Sequence, residues 1–233
     1  EVTAQMVANF ESGGAAINQI CKAFSIDFSI DSLALDCPTG DFTKVPAMTE
    51  TECVNAFIFG MEKVKEGYDV LCLGEMGIGN TTSAAALSLA LFGGEAKDWT
   101  GAGTGISGEV LKKKTKVVSR SVKLHNNRDP LNTLCCLGGR ELVAIAGAVL
   151  AARFLRVPIL LDGYVSCAAA AVLEAEYTGA LDHCRVGHVS TEPGHVKLLE
   201  KLRQRPLLDL SMRLGESSGA VLAVTILKAA VAC

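Results

Sequence analysis

At 233 residues the chain is long enough to bury one sizeable core, and 49% hydrophobic residues with a mean hydropathy of +0.33 exclude a disordered protein. A net charge of −3 without a long basic stripe excludes a nucleic-acid surface. The longest apolar stretches are interrupted by Arg153 and Arg156 or are short and carry Lys228, so no transmembrane helix is expected.

Nine cysteines, an odd count with Cys135 and Cys136 adjacent and no Cys-x-x-Cys pair, read as reduced core thiols and hence as a cytoplasmic protein. The chain opens Glu1-Val2-Thr3, without a basic-then-apolar leader or an initiating methionine, which reads as a trimmed start. His183, Cys184 and His188 meet no zinc spacing, so no metal is expected.

In chain order, Thr3 to Phe24 has helical spacing at Met6, Val7, Phe10, Ile17, Ile20 and Phe24, interrupted by Gly13-Gly14. Residues 1–24 are expected to form a smaller helical part beside a single domain spanning 1–233. Ser25–Leu35 alternates at Ile26, Phe28 and Ile30, a strand pattern. Cys37–Val45, with Pro38 and Gly40, reads as loop, and Thr49–Glu66 returns to helical spacing.

Tyr68–Leu73 is a short apolar run between Gly67 and Gly74, suited to a strand covered on both faces. A helix follows over Ser83–Phe92, rich in Ala and Leu, with Gly93-Gly94 just beyond its end. Between strand and helix lies Gly74-Glu75-Met76-Gly77-Ile78-Gly79-Asn80-Thr81-Thr82. Glycines there let backbone N–H groups approach an anion, and the first turn of the helix favours negative charge, so a phosphate fits. Thr82 stands where a dinucleotide fingerprint needs its third glycine, and no Gly-Lys-Ser/Thr follows, so neither common nucleotide loop is present. Glu75 is an odd choice for a turn that serves packing alone, and chemistry often sits at the carboxyl ends of parallel strands.

A second glycine cluster, Gly101-Ala102-Gly103-Thr104-Gly105, precedes a helix from about Glu109 to His125, with Gly105 and Ser107 as its cap. Lys114, in the run Lys112–Lys114, either faces solvent or reaches back over the loop, and spacing alone favours the solvated position. The remainder alternates helix and strand: Arg140–Arg156, Pro158–Leu161 with the turn Asp162-Gly163, Tyr164–Glu176, Arg185–Val189, the turn Ser190–Gly194, His195–Arg203, Leu207–Leu210, the turn Arg213–Gly219 and a final apolar helix. The expected fold is α/β, a doubly wound and mostly parallel sheet with helices on both faces and its turns gathered on one rim. Neither Ser190 nor Ser166 sits in a nucleophile elbow.

Five segments in order, Gly74–Thr82, Leu137–Glu141, Leu161–Gly163, His188–His195 and Arg213–Glu216, make the chain resemble the nicotinate-nucleotide:dimethylbenzimidazole phosphoribosyltransferase family over essentially its whole length. The resemblance implies further family segments at both ends. It also implies transfer of ribose 5-phosphate from nicotinate mononucleotide to 5,6-dimethylbenzimidazole, giving α-ribazole phosphate and nicotinate with inversion at the anomeric carbon, in a homodimer that needs no cofactor. By resemblance Glu216 matches the general base that removes the benzimidazole proton, and such a base contributes about 10²–10⁴-fold. Glu75 matches a site carboxylate that holds a ribose hydroxyl or helps stabilise an oxocarbenium-like cation.

Gly77, Ile78, Gly103, Lys114 and Ser190 match the phosphate-binding part of the family site. Met76 and Leu214 match residues lining the aromatic base, and Gln5 corresponds to a residue contacting it. Read from its spacing alone, Glu216 is an anion at a helix N-terminus with no catalytic task. Two other functions remain open from sequence: a catalytically impaired protein that binds nicotinate mononucleotide or a ribazole, and, less well supported for want of the third fingerprint glycine, a nicotinamide-dependent oxidoreductase.

Overall fold

Two glycines split the first amphipathic stretch into α1 (Val2–Glu11) and α2 (Ala16–Phe24), with Gly13 at φ +79° making the turn between them. The computed structural model describes residues 2–103, 105–126 and 129–233. Glu1 and Thr104, the latter inside the second glycine cluster, lie outside the described residues.

The strand expected over Ser25–Leu35 does not form. Ile26 and Ile30 pack against the small apolar cluster beside α1 and α2, while Phe28 and Leu35 stay exposed. Alternating side chains are therefore accommodated without any ladder, because among the described residues no strand lies alongside to accept the backbone bonds.

Next comes α3 (Glu50–Glu62), started by a reciprocal cap in which Thr49 Oγ1 accepts from the Glu52 amide (3.2 Å) and Glu52 Oε2 accepts from the Thr49 amide (2.9 Å). The central strand β1 (Leu71–Leu73) leads to α4 (Asn80–Phe92), α5 (Ala96–Trp99) and α6 (Gly108–Leu124). Then follow α7 (Pro130–Leu137), α8 (Arg140–Leu155), β2 (Ile159–Leu161), α9 (Tyr164–Glu176), β3 (Cys184–Ser190), α10 (Pro193–Leu202), β4 (Pro206–Met212) and α11 (Ser218–Ala232). Helices α5 and α7 are additions to the sequence reading. Helix α7 carries a recognisable start, since Asp129 caps it by accepting from the Leu131 and Asn132 amides and Pro130 occupies its first turn.

The four strands are parallel and lie in the order β1-β2-β3-β4. Period-two alternation gives the sheet two covered faces. Leu71, Leu73, Ile159, Leu161 and Val186 enter the large core with α4, α8 and α9. Leu160 faces the other way, with Val70, Cys72 and Leu208, onto Ala220, Ala223 and Val224 of α11. Helices thus cover both faces, as expected. The alanine runs Ala84–Ala86 and Ala168–Ala171 are fully buried, and Gly60 of α3 packs so closely on Ala144 of α8 that a Cβ would overlap its backbone. Small residues let these helices approach, and the resulting burial contributes roughly 25 cal/mol per Å² of apolar surface removed from water.

Helix α11 also packs on α2, and Phe10, Ala15, Ile17, Cys21 and Val221 form a cluster separate from the main core. This arrangement brings the first turn of α2 to the carboxyl ends of the strands. Among the described residues, no helix is long and apolar enough to cross a membrane.

Candidate active site

All four strands end at one rim, and each hands its chain to a turn that carries a polar group. At the end of β1 stands Glu75, and at the end of β4 stands Glu216, whose amide donates to the Glu75 carbonyl at 3.4 Å. The two acids that the sequence places 141 positions apart are therefore backbone neighbours, on the same side as the Gly77 turn. Gly215, Glu216 and Ser217 all have left-handed backbones (φ 81°, 62° and 67°), a strained run for residues with side chains. Strain of that kind persists only where neighbours hold it.

Asp162, at the end of β2, supplies the hold. Its Oδ1 accepts from the Gly219 amide (2.8 Å) and the Ala220 amide (3.0 Å) in the first turn of α11. His188 of β3 lies behind, its Nδ1 3.4 Å from the same oxygen, and Gly219 is required because a Cβ there would overlap the imidazole. Gly74 is required for the same reason, since its Cβ would overlap the Ser217 backbone. The buried Glu216 carboxylate accepts in turn from the Ile17 amide at 3.4 Å, in the first turn of α2.

Burial, with neighbouring carboxylates as a smaller contribution, sets the electrostatics. Burial pushes the Glu75 carboxyl up to about 8, with the Glu141, Asp162 and Glu216 charges adding to the rise and a hydrogen bond from Asn80 opposing it. Asp162 is pushed up to about 7 by burial, with Glu216 adding and the amides of Ala220, Gly219 and Ser217 opposing. Burial also raises Glu141. His188 is lowered by burial, with the Asp162 contact opposing the fall, so the shifts of the two groups run against ion pairing.

A cationic group adjoins the acids through α4. Asn80 and Thr81 are consecutive residues at its start: Asn80 donates to Glu75, and Thr81 Oγ1 accepts from Lys114 Nζ at 2.8 Å. Lys114 also donates to the Gly101 carbonyl at 3.0 Å. Its side chain runs back along α6 over the second glycine turn and is partly buried, so the solvated position expected from helix spacing is overturned. Burial lowers its pKa, and the nearby Glu192 carboxylate opposes that fall. Gly103, at φ +55°, donates its amide to Glu192 Oε1 at 2.7 Å.

The remaining expected residues have other surroundings. At Gly77 a Cβ would stand 2.5 Å from Glu141 Oε1, so a side chain there would displace the Glu141 carboxylate. The helix start is less open than its glycines imply, because the Asn80 and Thr82 amides already bond to the Gly77 and Gly79 carbonyls. Ile78 and Leu214 are exposed at the rim. Met76 packs against the Phe10–Ile17–Cys21 cluster, and Gln5 is exposed on α1.

Ser190, at the end of β3, is buried with its Oγ 3.1 Å from His195 Nδ1, the same nitrogen that accepts the Ser190 amide at 2.9 Å. That bond makes Nδ1 the unprotonated nitrogen, and burial holds His195 down to about 3, with His188 adding. The pair ties the His195 ring to the end of β3.

Asp162, Glu141, Asn80, Thr81 and Glu192 carry the site without having been singled out by the sequence reading. A signal existed for Asp162, which follows an apolar strand and precedes Gly163, at the same kind of strand end as Glu75. Among the described residues, no group of three or more His, Cys, Asp or Glu is arranged to hold a metal ion.

A parallel α/β sheet whose strand ends gather acids on one side and a lysine on the other suits a transferase acting on a charged nucleotide. The family model described as "Phosphoribosyltransferase" matches residues 1–233, and the chain belongs to that family. It is 57% identical over 234 residues to the nicotinate-nucleotide--dimethylbenzimidazole phosphoribosyltransferase of Sinorhizobium medicae (strain WSM419), covering 100% of this chain and 69% of that protein. The protein of the same name from Brucella anthropi is 58% identical, with 100% of this chain and 69% of that protein covered. Among solved structures, CobT from Thermus thermophilus matches with a TM-score of 0.89 at 42% identity, covering 99% of this chain and 75% of that one.

Proposed function

We propose that this protein transfers the ribose 5-phosphate of nicotinate mononucleotide to 5,6-dimethylbenzimidazole, with inversion at the anomeric carbon, giving α-ribazole 5′-phosphate and nicotinate for the nucleotide loop of cobalamin. The relatives' names support the reaction. The observation that carries the assignment to this site is the contact of the Glu216 amide with the Glu75 carbonyl, beside a lysine held by the second residue of α4.

In this reading the nucleotide's phosphate lies toward Lys114 and Thr81, with Gly77, Ile78, Gly103 and Ser190 shaping that end. The cationic pyridinium ring lies toward the carboxylates, where its charge offsets the burial and the like-charge repulsion that raise Glu75. Met76, Leu214 and Gln5 line the acceptor's place. One benzimidazole nitrogen attacks the anomeric carbon while Glu216 takes the proton from the other nitrogen, so no cationic benzimidazolium accumulates. The bond from that carbon to the pyridinium nitrogen breaks, its electron pair neutralises the ring, and the leaving group needs no acid. Glu75, ionised once the cation is beside it, holds a ribose hydroxyl or stabilises positive charge developing on the sugar.

The reading extends to a cytoplasmic setting, supported by free cysteine thiols throughout the chain, and to a homodimer, supported by exposed Ile226 and Val231 on α11. It also treats residues 1–24 as part of a smaller helical subdomain, supported by their separate cluster. Incubation with nicotinate mononucleotide and dimethylbenzimidazole is expected to yield nicotinate and α-ribazole 5′-phosphate in equal amounts. Tight nucleotide binding without either product would leave a binding protein in its place.

A further inference from the structure

We infer that Glu192 is a positioning residue for the nucleotide's phosphate, clamping the Gly101–Gly103 turn so that it holds Lys114 in place. Glu192 immediately precedes α10 and is 7% exposed. Its Oε1 takes the Gly103 amide at 2.7 Å, while its Oε2 is buried without a hydrogen-bond partner among the described residues. Leaving a carboxylate oxygen unpaired in the interior is unfavourable, so the side chain is not there for packing alone.

Its surroundings show what the carboxylate is wedged against. A Cβ on Gly101 would overlap Oε2 and would stand 2.7 Å from Pro193 Cδ, so the turn presses directly on the end of the Glu192 side chain. Two residues before the clamped amide, the Gly101 carbonyl accepts from Lys114 Nζ at 3.0 Å, and that ammonium donates onward to Thr81 Oγ1 at 2.8 Å. At Gly103 a Cβ would be 3.0 Å from Thr81 Oγ1 and 3.5 Å from Lys114 Nζ, so the turn, the lysine and the start of α4 form one packed unit.

With the Gly103 amide committed to Glu192, the turn contributes to anion binding by placing the lysine and leaving space, not by donating that amide. Glu192 acts through Lys114 and does not itself touch the phosphate. The inference rests on the reading above for the identity of the nucleotide.

Three variants of the full chain test it: Glu192→Ala, Glu192→Gln and Glu192→Asp. Losing a charge-assisted bond to a buried amide is expected to raise the KM for nicotinate mononucleotide about 10-fold or more in Glu192→Ala, with kcat within about threefold and the KM for dimethylbenzimidazole unchanged. Glu192→Gln keeps an acceptor oxygen for the Gly103 amide and is expected to restore that KM to within about threefold of the parent. Glu192→Asp keeps the charge but withdraws it by one methylene, so it is expected to behave like the alanine variant and serves if that variant does not fold.

An unchanged KM in Glu192→Ala or Glu192→Asp would overturn the inference, as would parallel losses in kcat and in both KM values. Calorimetric Kd values for nicotinate mononucleotide keep this separate from the reaction assigned to the protein. Weakened binding in the alanine or aspartate variant upholds the clamp even if no α-ribazole forms, and unchanged binding overturns it even with full turnover.

Discussion

At one end of the rim Glu75, Glu141, Asp162 and Glu216 crowd together; burial raises the first three, and neighbouring carboxylates add to the rise of Glu75 and Asp162. At the other end Lys114 is lowered by burial, with the Glu192 carboxylate opposing the fall. Water is withdrawn from both ends, and withdrawal favours the neutral form of each group. In the proposed binding mode, a nucleotide with a cationic ring and an anionic phosphate reverses both trends at once, because it brings to each end the charge that end lacks. The contrast lies in how the two ends are held. Strained backbone and two helix starts fix the acids, whereas the lysine hangs on a long side chain steadied at its tip by the Gly101 turn and Thr81.

Removing Glu216 is expected to have the largest effect. Glu216→Gln should lower kcat about 10²–10⁴-fold with little change in the Kd for nicotinate mononucleotide, read from steady-state rates and calorimetry. Equal losses in rate and affinity would make Glu216 a binding group and erase the division of labour between the ends. Next in size is Lys114→Ala, expected to raise the nucleotide's KM about 10–100-fold while changing kcat less. A kcat loss as large as that in Glu216→Gln would mean the lysine serves the chemical step.

The smallest effect, and the one that tests the electrostatics directly, is on stability. The folded Glu75 carboxyl lies at about 8, against an ordinary value of 4.5, so it is raised. Its contribution is therefore fully present below about pH 4.5 and is lost as pH rises through about 8. Asp162, raised from 3.8 to about 7, adds a loss of the same sign. Glu75→Gln should flatten the first of these, leaving the variant about 1–2 kcal/mol more stable than the parent at pH 8; this is less than the full shift would give, since the side chain keeps some contact with water. Denaturant unfolding at pH 5 and pH 8 reads the difference, and identical pH slopes in parent and variant would show that the acids are not crowded as described.

Much of the architecture was legible because local signals agreed with the fold. The apolar run before Gly74, the alanine-rich helices and the capping glycines each point to the element that forms. Residues 25–35 show the limit of pattern alone: the alternation of Ile26, Phe28 and Ile30 is real, yet among the described residues no neighbouring strand turns it into a ladder. Asp129-Pro130 was a usable helix start that periodicity passed over.

For the site, residue chemistry and strand position marked Glu75 and the glycine turn, and the family motifs marked Glu216, Lys114 and Ser190. The sequence by itself determined the alternation of strands and helices and the turns that bear charge, because hydrophobic period and glycine placement are local properties. Only the tertiary structure decided that Lys114 turns inward, that Asp162 steadies the strained turn at Glu216, and that Glu192 grips a turn 89 residues away. Those outcomes depend on which strand ends and helix starts are packed side by side, and spacing along one chain does not encode that distance.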